Sequence, residues 1–146
     1  METTGMPWQT ANAVGGYGER MAARYLTDLG LEVLDRNWRC ELGEIDIVAR
    51  DGTCLVVCEV KTRRSTTFGD PVEAVDHRKL ARLRRLAGAW LAEHSAHSAH
   101  FAHPAHPAHP AVVTRGWAEE VRVDVIGILR PRRGPCRIEH LVGVLS

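Results

Sequence analysis

At 146 residues, 45% hydrophobic and 25% charged, the chain has the balance of an ordinary globular protein with one core. No apolar run approaches the ~18 residues of a membrane span, and the start of the chain lacks a basic segment followed by an apolar one, so no signal peptide is expected and the expected compartment is the cytoplasm. A net charge of +1 excludes a polycation, so affinity for nucleic acid must come from local clusters.

Residues 1–11 show no period and are expected to form a flexible N-terminus, with one domain over 12–146. Val14, Tyr17, Met21, Tyr25 and Leu29 recur at spacings of three and four, which predicts a helix from Asn12 to Leu29 stopped by Gly30. Leu31–Cys40, Gly43–Arg50 and Thr53–Lys61 read as strands. Asp51-Gly52 between the last two is a hairpin signal. Asp70, Pro71 and Glu73 give a helix start. Val72, Val75, Leu80, Leu83, Ala87 and Trp90 form that helix's apolar side, to about Glu93. Residues 94–111 are a low-complexity, His-rich insert in which His94, His97, His100, His103, His106 and His109 recur every third residue. Its proline-containing part would line histidines on one polyproline edge, which suits Ni²⁺ or Zn²⁺; the alternative is a repeat-expanded, solvated loop. Glu119–Leu129 and Arg137–Leu145 are the closing strands. The order α-β-β-β-α-β-β predicts an α/β fold, a central mixed sheet flanked by helices. None of the four cysteines forms a CxxC pair, and Cys54 and Cys58 read as small buried hydrophobes.

The chemistry gathers on the hairpin. With Asp51-Gly52 as its two-residue loop, Arg50 faces Thr53, Asp46 faces Val57 and Glu44 faces Glu59. Alternation then puts Glu44 and Asp46 on one face with Glu59 and Lys61, and makes Asp46 and Glu59 diagonal neighbours roughly 7–8 Å apart. Paired carboxylates repel unless a cation lies between them. Lys61 supplies one charge, and hard oxygen ligands with open water positions suit Mg²⁺ or Mn²⁺. Charges on an exposed strand face are often mere solubility, but GEIDIVA and LVVCEVK are apolar runs that argue for burial. Glu19 shares a helical stripe with Gly15, Ala22, Leu26 and Leu29, which turns it toward the core. Its alternative is a helix-flank carboxylate near the N-terminal dipole. Glu44 is left outside the catalytic core, as an outer ligand or the sign of a bulge.

Asp46 followed by Glu59-Val60-Lys61 matches the D…(E)xK pattern of the PD-(D/E)xK nuclease superfamily. Gly18-Glu19, Asn37-Trp38-Arg39, Gly43-Glu44-Ile45-Asp46, Glu59-Val60-Lys61-Thr62-Arg63 and Phe68-Gly69, with Val123-Asp124-Val125-Ile126 and Ile138-Glu139-His140, resemble the bacterial YraN/UPF0102 family. That family is predicted to be endonuclease-like and similar to archaeal Holliday junction resolvases. The resemblance covers most of residues 14–145 except the His-rich insert. It implies a restriction-endonuclease-like sandwich and a Mg²⁺- or Mn²⁺-dependent endonuclease on DNA, including branched or repair intermediates. It implies Asp46, Glu59 and the Val60 carbonyl as metal ligands, Lys61 as the residue that orients or activates water, and Glu19 as the helical acid that completes the site. Resolvase relatives imply a homodimer, for which the sequence has no separate signal. A non-catalytic nucleic-acid-binding protein on the same fold stays open beside the enzyme.

Lys61-Thr62-Arg63-Arg64, Arg78-Lys79 with Arg82, Arg84 and Arg85, and Arg130 with Arg132 and Arg133 form basic clusters. Arg78, Arg82 and Arg85 make one helical stripe, either a nucleic-acid contact or a solvated face. Arg63 and Arg64 leave the catalytic strand and would meet a phosphate at the metal. No aromatic stacking platform interleaves them.

Overall fold

A computed structural model of the chain describes residues 7–64, 76–100 and 117–144. It contains α1 (Pro7–Asp28), β1 (Glu32–Cys40), β2 (Gly43–Asp51), β3 (Cys54–Arg63), α2 (His77–His100), β4 (Glu120–Leu129) and β5 (Arg137–Leu141). The strands form one sheet in the order β1-β2-β3-β4-β5. β3 and β4 are parallel, joined by the crossover that contains α2, and the other neighbours are antiparallel. The expected α/β arrangement, a mixed sheet flanked by helices and consistent with a restriction-endonuclease-like sandwich, is the fold observed.

Each helix covers one face. Ala22 and Leu26 of α1 pack with Ile47, Ala49, Val56, Cys58, Ile126 and Ile128. Leu80, Leu83, Leu86, Ala87 and Trp90 of α2 pack with Ile45, Val48, Leu55, Val57 and Val123. Six consecutive residues of β3 and of β4 are buried, as strands covered on both faces must be. Cys54 and Cys58 are buried free thiols, as read, and Cys40 and Cys136 are also free.

Helix boundaries differ from the sequence reading. α1 begins at Pro7 rather than Asn12, and ends a residue early. Gly30 takes a φ of 97° there, and Leu29, expected on the apolar stripe, is 54% exposed beyond the last helical turn. The Asp70-Pro71-Glu73 start lies outside the described residues. α2 is described from His77, where the Asp76 carboxylate caps it by accepting the Lys79 N–H at 2.9 Å. At its far end α2 continues to His100, into the low-complexity tract. His94 is held by the fold: its ring stacks on Trp90 at 3.8 Å and its Nδ1 lies 2.8 Å from the Trp90 carbonyl. The polyproline reading falls on residues outside those described. No helix among the described residues is long and apolar enough to cross a membrane.

The hairpin register is two residues off the one expected. Asp51 pairs with Cys54 and Ile47 with Cys58, so the two-residue loop is Gly52-Thr53. The reason is the position of the glycine. Gly52 takes φ 61° while Thr53 keeps a negative φ, the pattern of a type II′ turn with Gly first. A shift by two keeps every side chain on its face but changes each partner.

Candidate active site

The site lies where β2 and β3 part. Their ladder ends at Ile47↔Cys58. Across the gap the Asp46 carboxylate substitutes for a ladder acceptor, its Oδ2 taking the Val60 N–H at 2.8 Å. Strand alternation also breaks here. Ile45 and Val48, three residues apart, pack in the same core against α2, whereas Ile47 packs toward α1. On β1, Arg36 pairs with Ile47 and Trp38 with Ile45, which leaves Asn37 opposite Asp46. Asn37 is the one non-glycine described residue in the left-handed region, at φ 53°. Asn tolerates that conformation better than most residues. The slip turns Ile45 toward α2 and frees Glu44 and Asp46 from simple alternation.

Glu44 is therefore part of the site. One oxygen each of Glu19, Glu44 and Asp46 lie within 4.8 Å of one another, all half-buried. The sequence reading leaves Glu44 outside the catalytic core, as an outer ligand or the sign of a bulge; the structure brings it beside Glu19 and Asp46 where the alternation of β2 breaks. Glu44 also pairs with the exposed Arg39 guanidinium at 3.2 Å. Glu19 reaches the cluster because α1 crosses β3 closely. Gly18 is buried, and a Cβ on it would collide with the Thr62 hydroxyl. We expect Gly18→Ala to push α1 away and lower stability by about 1–3 kcal/mol. Thr62→Ala added to it should recover much of the loss in a urea melt, and no recovery would show that the contact is not the cause.

Glu59 lies beside that cluster but is not one of the trio. It is 7% exposed and turned to the α2 side, where its Oε1 meets Lys79 Nζ at 2.6 Å and Lys61 Nζ at 3.2 Å. Lys79 was not among the expected site residues. In sequence it is one cation in a basic run, and only the packing of α2 on β3 brings it inward.

The electrostatics follow from this crowding. Burial, then the charge of Glu59, with Glu19 and Glu44 adding, raise Asp46 to about 7, against the opposing pull of the Val60 N–H. Lys61 is lowered, first by burial and then by its contact with Lys79, against the attraction of Glu59. Burial, the largest single influence, would lower Lys79 as well, but its bond to Glu59, its contact with Lys61 and the charges of Glu59 and Asp46 together outweigh that and hold it raised. Three carboxylates at this separation, one of them hard to ionise, make a donor set able to chelate a divalent cation, and a hard one by its oxygen chemistry.

Basic side chains flank the acids. Arg78, Arg82 and Arg85 are exposed on α2, opposite its buried leucines. Arg82 packs its stem 3.7 Å from where a Cβ of Gly43 would lie, beside the start of β2. Arg63 and Arg64 are exposed at the end of β3. Arg130 joins them from the other side: its N–H bonds the Arg63 carbonyl at 2.8 Å and its guanidinium lies 4.2 Å from the Tyr17 ring. The turn that carries Arg132 and Arg133 thus flanks the same strand ends.

A profile for the "Uncharacterised protein family UPF0102" matches residues 18–128. A UPF0102 protein of Kineococcus radiotolerans is 54% identical over 133 residues, which span 91% of this chain and 93% of the relative. One from Beutenbergia cavernae is 54% identical, spanning 91% of this chain and 96% of the relative. One from Streptomyces coelicolor is 47% identical over 141 residues, 96% of this chain and 94% of its own length.

Proposed function

We propose that this chain, which belongs to the UPF0102 family, is a Mg²⁺- or Mn²⁺-dependent endonuclease of the PD-(D/E)xK type that hydrolyses phosphodiester bonds in DNA, branched or repair intermediates included. The observation that carries this reading is the convergence of Glu19, Glu44 and Asp46 beside the Glu59–Lys61 pair at the parting of two strands. Asp46, Glu19 and Glu44 would hold the ion, with the Val60 carbonyl as a further ligand, while Glu59, engaged by Lys61 and Lys79, would stand beside them as a reserve ligand. A bound divalent ion supplies a Lewis acid for the phosphate oxygens and lowers the pKa of coordinated water.

The chain's own groups do the rest. The Val60 N–H holds one Asp46 oxygen in place and leaves the other free. Lys61, lowered by burial, gives up its proton more readily than an ordinary lysine, and its Nζ would orient or deprotonate the attacking water. Arg63 and Arg64 beside it, with the Arg78, Arg82 and Arg85 stripe, would hold the phosphates on either side of the scissile bond. A homodimer belongs to the same proposal, on the similarity to resolvases that the family resemblance implies.

The test is incubation with linear, flapped and four-way-junction DNA in Mg²⁺, Mn²⁺ or EDTA. Asp46→Asn and Lys61→Ala should each lower the cleavage rate by about 100-fold or more. Cleavage that survives both substitutions refutes the mechanism. The second reading, a non-catalytic nucleic-acid-binding protein, draws on the exposed arginines, which stand independently of the acids. Binding to DNA without cleavage in any metal would favour it.

A further inference from the structure

We propose that Lys79 is a clamp that holds Glu59 out of the metal's ligand set, so that an ammonium and a divalent ion compete for one carboxylate. The proposal rests on the metal-dependent reading above and concerns how tightly the ion is held.

Four observations support it. The ammonium of Lys79 lies 2.6 Å from Glu59 Oε1, closer than Lys61 at 3.2 Å on the same oxygen. The lysine's backbone is anchored, because its own N–H is the one the Asp76 cap accepts, and the next residue, Leu80, is buried in the core. Glu59 is nearly inaccessible to water, so it needs a counter-charge from within the protein. And Glu59 is absent from the trio of mutually close acids, although the residue after it donates its N–H to Asp46. The carboxylate is thus next to the metal cluster and engaged elsewhere.

Removal of a partner from a buried charge leaves the other seeking compensation. With Lys79 gone, Glu59 keeps only the Lys61 ammonium at 3.2 Å, and a divalent ion at Glu19, Glu44 and Asp46 is the strongest remaining source of positive charge, to which Glu59 turns. The acid cluster then gains a fourth carboxylate. Lys79 is a positioning residue in this account, because it acts through Glu59.

The experiment titrates Mn²⁺ into the full chain, read by the loss of the free-Mn²⁺ paramagnetic resonance signal, so no activity is required. Lys79→Met should bind Mn²⁺ roughly tenfold more tightly than the unsubstituted protein, the scale of effect known for groups behind metal ligands. Lys79→Arg keeps the charge and should bind no more tightly than the unsubstituted protein. The gain should vanish when Glu59→Gln is combined with Lys79→Met. A gain that persists in the double variant would come from charge through space, and would overturn the clamp. So would unchanged or weaker binding in Lys79→Met. If Lys79→Met does not fold, Lys79→Gln, which keeps a hydrogen-bond donor without the charge, should show a smaller gain, and no gain overturns the proposal equally. If neither the unsubstituted protein nor any variant binds Mn²⁺, the metal-dependent reading itself fails and the clamp falls with it.

Discussion

Asp46→Asn should raise the melting temperature of the metal-free protein at pH 8, with the advantage shrinking as pH falls and closing near pH 4. A carboxylate usually strengthens a fold at neutral pH, so the sign is diagnostic. Asp46 is raised from its ordinary 3.8 to about 7, by burial first and then by Glu59, Glu19 and Glu44. The folded protein therefore holds this proton more tightly than the unfolded chain does. The stability that depends on it is complete below about pH 3.8 and is lost as pH rises through about 7. The full linkage would approach ~4 kcal/mol, and partial solvent access trims the expected gain in the variant to about 1–3 kcal/mol. Asn keeps an acceptor for the Val60 N–H, so the variant should not lose that bond. The check is thermal denaturation at pH 4 and pH 8 in EDTA, then in Mn²⁺. The ion should stabilise the unsubstituted protein and do much less for the variant. An Asp46→Asn protein that melts lower than its parent at pH 8 in EDTA would show that the acidic cluster carries no electrostatic strain.

Most of the fold is legible in the sequence because its signals are local. Apolar runs mark β3 and β4, Gly30 stops α1, and Leu80, Leu83, Ala87 and Trp90 lie at helical spacing and are buried. The failures share a cause, which is that a conformation or a distant contact overrides the pattern. Asp51-Gly52 looks like a two-residue loop, yet the loop is Gly52-Thr53, because the glycine's positive φ is used at the first position. Glu44 is ambiguous in sequence because strict period two sets it opposite Glu59, and a bulge is the alternative that the break of alternation in β2 favours. The one cue was an asparagine in the facing strand, Asn37, a residue type that tolerates positive φ, but nothing in composition says that it is used so. Lys79 is hidden in a basic run whose neighbours Arg78 and Arg82 are solvent-exposed. Its inward turn depends on residues some twenty positions away on β3. Asp46, Lys61 and Glu19 draw notice in the sequence as charges in apolar stripes, where the cost of burial asks for a reason, although the expectation for Glu19 rests mostly on the family resemblance.

A second aspartate in the same sheet should respond in the opposite direction. Asp124 on β4 is completely buried. Its Oδ1 accepts the Arg122 Nε–H at 3.0 Å and the Gly143 N–H at 2.9 Å, and its Oδ2 accepts a second Arg122 bond at 3.3 Å and lies 2.7 Å from His140 Nε2. Arg122 also reaches Asp51 at 2.9 Å, at the end of the β2–β3 hairpin, and His140 Nδ1 lies 3.1 Å from the Tyr25 hydroxyl on α1. One carboxylate thereby ties β4 to β5, to the chain beyond β5, to the hairpin and to α1. Asp124→Ala removes the acceptor and leaves a guanidinium and an imidazole partly buried without it. The cost should be about 3–5 kcal/mol, a drop of roughly 10 °C or more in melting temperature. Asp124→Asn should fall between, since an amide offers one acceptor where donors converge from several sides. A loss under about 1 kcal/mol for Asp124→Ala would mean that the network contributes little. The contrast with Asp46 is a matter of what surrounds each. Asp124 is met by donors at both oxygens, so its charge is compensated within the fold. Asp46 has one backbone donor and three acids as neighbours. Its charge is poorly compensated within the fold, which is the difference expected between a carboxylate placed for stability and, under the proposed function, one placed for a cation.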